Sequence, residues 1–149
     1  MGHWHSLLDA IGAGKSEFPP AIRTTRLSEG LVGSLTWEPG RVNRRWTLGS
    51  WAHNPDGTVF GGLIAALADQ VTSFAAFTVL GDDEASRTAS LQVDYFRPVV
   101  GSHVMAEARI VNRSRRLIHT ETEITRADGK VAAHARAVLA IIPRAPVPS

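Results

Sequence analysis

His53–Leu80, HNPDGTVFGGLIAALADQVTSFAAFTVL, is the stretch whose reading decides the fold. It opens as a turn rich in Asn, Pro, Asp and Gly, passes through Gly61-Gly62, and becomes the one long apolar helix candidate in the chain. Ile64, Leu67, Val71, Phe74 and Thr78 recur at helical spacing and predict a face for burial. The opposite face carries Ala65, Ala66, Asp69, Thr72, Ser73 and Ala76, all small or polar, and is expected to let another backbone or a thin ligand come close. Asp69 is the only ionisable residue between Gly61 and Leu80. Asp69, Gln70, Thr72 and Ser73 interrupt the apolar run, so it does not read as a membrane span.

Downstream of this helix the pattern changes to alternation. Strands are expected at about 88–97, 103–112, 117–125 and 130–142, after an acidic loop at Gly81-Asp82-Asp83-Glu84. Ala127-Asp128-Gly129 between the last two is a hairpin signal. Upstream, residues 22–48 read as strand, turn, strand about Glu38-Pro39-Gly40-Arg41. Trp4, Leu7, Leu8 and Ile11 mark a short amphipathic helix ended by Gly12 and Gly14, expected to pack as a lid or an interface. Residues 1–21 are thus an N-terminal helix and Pro-marked linker, and 143–149, PRAPVPS, a disordered tail. One helix against an antiparallel meander predicts an α+β fold in a single domain over 1–149.

Composition narrows the function classes. At 149 residues, with 44% hydrophobic and 20% charged residues, the chain matches an ordinary globular domain. The absence of cysteine excludes disulfides, thiolate metal sites and a Cys nucleophile, and fits a reducing cytoplasm. The sequence pI of 9.7 accompanies a net charge of only +2, and the arginines fall in small clusters at 41, 44, 45 and at 113, 115, 116. Solvated strand ends account for them, as does a small anionic ligand; no nucleic-acid motif accompanies them, so no nucleic-acid partner is expected. The N-terminus lacks a signal-peptide pattern. Gly2 and Ser6 match a short myristoylation pattern, but no second membrane signal accompanies it, and no membrane partner is expected.

Several residues have types suited to chemistry. Gly61 and Gly62, entering a helix, present backbone N–H groups at the positive end of its dipole, the arrangement an oxyanion site needs; glycines also occur at helix starts for packing. Asp69 follows Gly61 by eight residues. A carboxylate on a face of small residues suits a general base or nucleophile, and it equally suits a solvent-facing or capping role. Asn54 reads as an Asn-Pro turn former or as an amide that orients water or a substrate carbonyl. His53, His103, His119 and His134 have no metal-ligand spacing, and His119 and His134 are expected at the surface or a sheet edge. No nucleophile-elbow, zinc-protease, Walker or dinucleotide pattern is present.

The run His53-Asn54-Pro55-x-Gly57-Thr58-Val59-Phe60-Gly61-Gly62, followed by Leu67-Ala68-Asp69, resembles the signature of the PaaI-like acyl-CoA thioesterases of the hotdog fold. Val93-Asp94-Tyr95-Phe96-Arg97-Pro98-Val99-x-Gly101 is similar to that family's strand ending in R-P-x-x-G. The resemblance extends over about residues 30–142 and implies a curled antiparallel sheet wrapped around one long helix. It also implies that the Gly61 N–H meets a thioester carbonyl and that Asp69 activates water or attacks. Asn54 would place water or substrate, and Thr88 would assist the nucleophilic water. The family site forms between two protomers, so Gly61 and Asp69 would come from different chains of a homodimer or homotetramer. The family has His where this chain has Phe60, which can instead pack against the pantetheine or acyl chain.

The resulting expectation is a metal-independent, cofactor-free thioesterase that hydrolyses an acyl-CoA to free acid and CoA. Phe60, Gly62, Ser73, Arg97, Arg115 and Arg116 are its expected substrate-binding residues, the arginines for the CoA phosphates. The alternative is a non-catalytic acyl-CoA or small-ligand binding protein on the same fold. A hotdog hydratase ranks last, because no His-plus-acid motif is found.

Overall fold

The computed structural model describes residues 2–14 and 32–146. Helix α1 (His3–Gly12) is followed by β1 (Val32–Glu38), β2 (Arg41–Thr47) and a single 3-10 turn at Ser50–Ala52. Helix α2 (Gly61–Phe77) comes next, and then β3 (Glu84–Tyr95), β4 (His103–Arg113), β5 (Leu117–Arg126) and β6 (Val131–Pro143). The linker at 15–21, the beginning (22–31) of the strand, turn, strand expected over 22–48, and the end of the tail, 147–149, lie outside the described residues.

The strands pair antiparallel in the order β1-β2-β4-β5-β6-β3, leaving β1 and β3 as the edges. Helix α2 touches β2, β3, β4, β5 and β6. Five flat strands would span roughly 19 Å, about twice a helix's width, so one helix reaches all five only because the sheet curls around it. This is the expected α+β arrangement. Trp46, Leu63, Leu67, Val71, Val104, Ile118 and Ile124 are fully or almost fully buried between the layers, each of the six aliphatic ones worth about 1.5–3 kcal/mol. On β6 the inward positions Ala133, Ala135 and Ala137 are small and buried, which lets the helix axis lie close to that strand.

The curl buries more of α2 than its sequence stripe predicts. Thr72 and Ala76, expected on the open small-residue face, are fully buried. Thr72 meets Thr122 and Thr120 on β5, hydroxyl to hydroxyl at 3.2 and 3.4 Å, so three buried hydroxyls satisfy one another. His119 and His134, expected at the surface or a sheet edge, lie on β5 and β6, interior strands of the sheet and not its edges, and both are half-buried. Glu84, expected in the acidic loop, begins β3, and β6 continues to Pro143, into the expected tail.

Helix α1 docks beside β1 and the C-terminal end of α2. Leu8 is fully buried, and the Trp4 ring stacks on Phe77 at 4.3 Å. Four polar contacts tie the helix down, the first from the His3 N–H to the Asp82 carboxylate at 2.7 Å. The Trp4 Nε1 donates to the Glu84 carbonyl at 2.9 Å, the Trp37 Nε1 donates to Asp9 at 2.8 Å, and the His5 Nε2 lies 3.1 Å from the Thr78 carbonyl. The expected packing role holds. No helix among the described residues is long and apolar enough to cross a membrane.

Candidate active site on the central helix

The loop entering α2 is a closed turn. The Asn54 N–H donates to the Thr58 carbonyl at 2.7 Å, and the Gly57 N–H donates to the Asn54 carbonyl at 2.9 Å. Gly57 has φ +83°, a conformation that favours glycine. Asp56 accepts from the Thr58 hydroxyl at 2.7 Å and the Thr58 N–H at 3.0 Å. These bonds, the hydroxyl's first, hold its carboxyl below the usual aspartate range. Asn54 directs its own amide to the Thr58 hydroxyl at 3.2 Å, so its side chain serves the turn. The His53 ring bridges two loops, with Nδ1 3.1 Å from the Gly49 carbonyl and Nε2 2.7 Å from the Gly101 carbonyl.

Phe60 caps α2 in extended conformation with no side-chain cap bond. The N–H groups of Leu63 and Ile64 both turn back to the Phe60 carbonyl. Gly61 and Gly62 are exposed, and neither N–H donates a hydrogen bond among the described residues. Two donors therefore face outward at the positive end of the helix dipole. Beside them lies a groove of about 310 Å³ lined by Val59, Ile64, Tyr95, Phe96 and Val99. The Phe60 ring, 38% exposed, lies 3.6 Å from where a Cβ on Gly62 would stand.

Asp69 is half-buried on the open side of α2 and accepts a 2.7 Å hydrogen bond from the Thr88 hydroxyl. A β-bulge makes that bond possible. The β3–β6 register shifts between Thr88, opposite Leu139, and Ser90, opposite Val138. Before the bulge Thr88 faces the helix; after it Leu91 and Val93 do, packing against the core. Residues three apart on a regular strand point to opposite faces, so only the extra residue lets Thr88 and Leu91 both face α2.

The remaining expected residues are dispersed. Ser73 spends its hydroxyl on the Asp69 carbonyl at 3.0 Å. Arg97 lies just past Tyr95 at the Gly61 end and donates to the Val131 carbonyl at 2.8 Å. Arg115 and Arg116 are exposed in the β4–β5 turn. The ladder sets that turn beside Ala140 and Arg87, at the opposite end of the sheet from Tyr95 and Gly61. Arg113 in the same cluster is ion-paired with Glu84 at 2.5 Å. Among the described residues no group of three or more His, Cys, Asp or Glu is placed to hold a metal ion. A larger hollow of about 560 Å³ lies on the outer face of the sheet, between Arg45, Glu107, Glu123 and His134. None of the expected site residues lines it.

The long helix cradled by a curled antiparallel sheet, with bare amides at its start and one acid on its open side, defines a hotdog-fold protein. The thioesterase superfamily model matches residues 56–133, and the chain belongs to that family. Solved structures share the fold. A Haemophilus influenzae thioesterase superposes with a TM-score of 0.77 at 18% identity, covering 91% of this chain and 90% of that one. A phenylacetic acid degradation-related protein from Ralstonia eutropha, provisionally named a thioesterase, gives 0.75 at 24% identity, covering 89% and 98%. A Bacillus halodurans protein solved with CoA gives 0.65 at 25% identity, covering 67% and 66%. A Caenorhabditis elegans protein provisionally named an esterase is 34% identical over 95 residues, 62% of this chain; the match spans 56% of that relative's length.

Proposed function

We propose that the chain hydrolyses an acyl-CoA thioester to a carboxylic acid and CoA. The observation that carries the reading is Asp69, the one acid on α2, held at 2.7 Å by Thr88 on the open side of the helix. Water lying against Asp69 attacks the thioester carbonyl and gives its proton to the carboxylate. The oxygen, now negative, is stabilised by the helix-start N–H of Gly61, with Gly62 beside it. The C–S bond then breaks, the thiolate leaves and takes up the proton, and the acid is released. A direct attack by Asp69 through a mixed anhydride uses the same groups. Base and oxyanion donor both come from the chain, so this route uses no metal. The solved Bacillus halodurans relative with CoA supports a CoA ester as the substrate class.

We read the site as shared between two protomers, as the family resemblance implies. Gly61 and Asp69 are eight residues apart on one helix, about 12 Å along its axis, a long span for one thioester carbonyl and one water to bridge, which supports the reading. The oxyanion donor then comes from one protomer and the acid from its partner, in a homodimer or a pair of dimers. In this reading Arg97 at the Gly61 end, or Arg115 and Arg116 at the far end of the sheet, meet the CoA phosphates, and Asn54, whose amide NH2 is bonded to Thr58, offers its carbonyl oxygen to water or substrate.

Thiol release from a panel of acyl-CoA esters tests the reading. Wild-type turnover is expected with at least one ester, and Asp69→Asn is expected to lower it by roughly 10²-fold or more. Turnover unchanged in Asp69→Asn would remove Asp69 from the chemistry. The second reading, binding without catalysis, is favoured by Phe60 standing where the family has His. It predicts a thermal shift with CoA esters and no thiol released, and a gain of turnover in Phe60→His would mark an enzyme slowed at that position.

A further inference from the structure

Two consecutive glycines form the least constrained dipeptide a chain can offer. Oxyanion stabilisation, however, depends on donors already oriented when the substrate arrives. The amides of the first turn have no partner inside the helix, and the Phe60 cap contributes no side-chain bond. The Gly61 carbonyl enters the helix ladder, and outside that ladder the contact on this corner is Tyr95. Its hydroxyl donates a 2.6 Å hydrogen bond to the Gly61 carbonyl, and its ring lies 3.5 Å from where a Cβ on Gly61 would stand.

We propose that Tyr95 is a positioning residue for the helix-start amides, fixing the Gly61–Gly62 peptide so that its N–H is held toward the substrate carbonyl. The inference rests on the thioesterase reading. The Gly61 carbonyl and the Gly62 N–H belong to one rigid peptide plane, so pinning the oxygen sets the direction of the hydrogen on its far side. The same bond polarises the peptide and strengthens that N–H as a donor. The Phe60–Gly61 peptide, which carries the other N–H, is held in turn through the Gly61 torsions. Burial does not explain the contact. Tyr95 is 52% exposed, and water could satisfy its hydroxyl, so the bond to Gly61 is not forced by a need to pair a buried group. The bulge in β3 contributes here as well: it sets residues 91, 93 and 95 on the helix-facing side, which carries the Tyr95 ring to the start of α2.

Tyr95→Phe keeps the ring and removes the hydroxyl. With an ester the wild type hydrolyses, kcat is expected to fall on the order of tenfold while KM changes little, because the donor acts mainly on the transition state. The backbone N–H order parameters of Gly61 and Gly62 are expected to fall, with the thermal midpoint nearly unchanged. A wild-type kcat in Tyr95→Phe, or unaltered order parameters at both glycines, overturns the positioning role and leaves thioester hydrolysis standing. A wild-type protein that releases no thiol from any ester overturns the hydrolase reading, and this inference with it.

Discussion

Gly61 is the N1 residue of α2, and that position permits a clean test of the oxyanion donor. Proline is tolerated at N1 because its fixed φ suits the first turn and the missing N–H has no helical partner. Phe60 already has φ −69° and ψ 143°, the extended conformation proline imposes on its predecessor. A Cβ on Gly61 would meet the Tyr95 ring at an ordinary 3.5 Å. Gly61→Pro is therefore expected to fold, with a far-UV spectrum like the wild type's, and to lose roughly 10²–10³-fold in kcat. A fully active Gly61→Pro protein would show that this N–H takes no part. Asp56 gives a second test at this scale. Its carboxyl is held low by the Thr58 hydroxyl first and the Thr58 N–H second, so its stabilising contribution is present above the ordinary aspartate value and is lost as pH falls through the lowered one. An NMR titration should place the Asp56 midpoint below that of an unstructured aspartate, and Thr58→Val should raise it only part of the way, since the backbone bond remains.

The bulge in β3 is the element on which the site depends. It turns Thr88 to Asp69 without turning Leu91, Val93 and Tyr95 away from α2. Deleting Ala89 sets Thr88 two positions before Leu91, with Thr88 and Ser90 on the consecutive partners Leu139 and Val138, so a regular strand still turns Thr88 and Leu91 to α2. The deletion variant is therefore expected to keep its thermal midpoint and its turnover to within a few-fold. Turnover lost with the midpoint kept would show that the local geometry of the bulge, beyond its phase, is needed to bring Thr88 to Asp69. The strands themselves were legible from alternation, and the observed ends of the four strands after α2 differ from the expected ones by four residues at most. The bulge was not, because Arg87-Thr88-Ala89-Ser90 contains no large apolar residue whose phase would reveal a shift. Tyr95 was passed over as a strand residue, although an aromatic with a polar tip beside Arg97-Pro98 was a signal available in the chain.

At the scale of the whole molecule the central question is whether the site is shared between protomers. In an isologous dimer each site would combine Gly61 of one chain with Asp69 of the other. Mixing Asp69→Asn with Gly61→Pro protomers then gives heterodimers with one intact site and one doubly altered site. Statistical exchange of subunits should restore about a quarter of wild-type activity from two nearly inactive parents, as two-fold symmetry requires. A mixture no more active than its parents, with heterodimers verified by mass, would locate both groups in one protomer. The docked α1 closes the other end of the molecule, where Trp4, Leu8 and Trp37 join it to α2 and β1.

The sequence alone determined the helix, the meander that follows it and the α+β class, because periodicity records which side of each element avoids water. It also marked Asp69, an acid in an apolar helix, and the Gly61-Gly62 entry, because both residue types are costly inside a helix without a reason. Tertiary structure decided the rest. How far the sheet curls set which residues of α2 are covered, and so moved Thr72 and Ala76 into the core. A one-residue bulge set which face of β3 meets Asp69, and chain separation put Tyr95 against Gly61 across 34 positions of sequence. Local pattern reports only whether a side chain is turned from water; which other side chain it meets depends on where the chain returns.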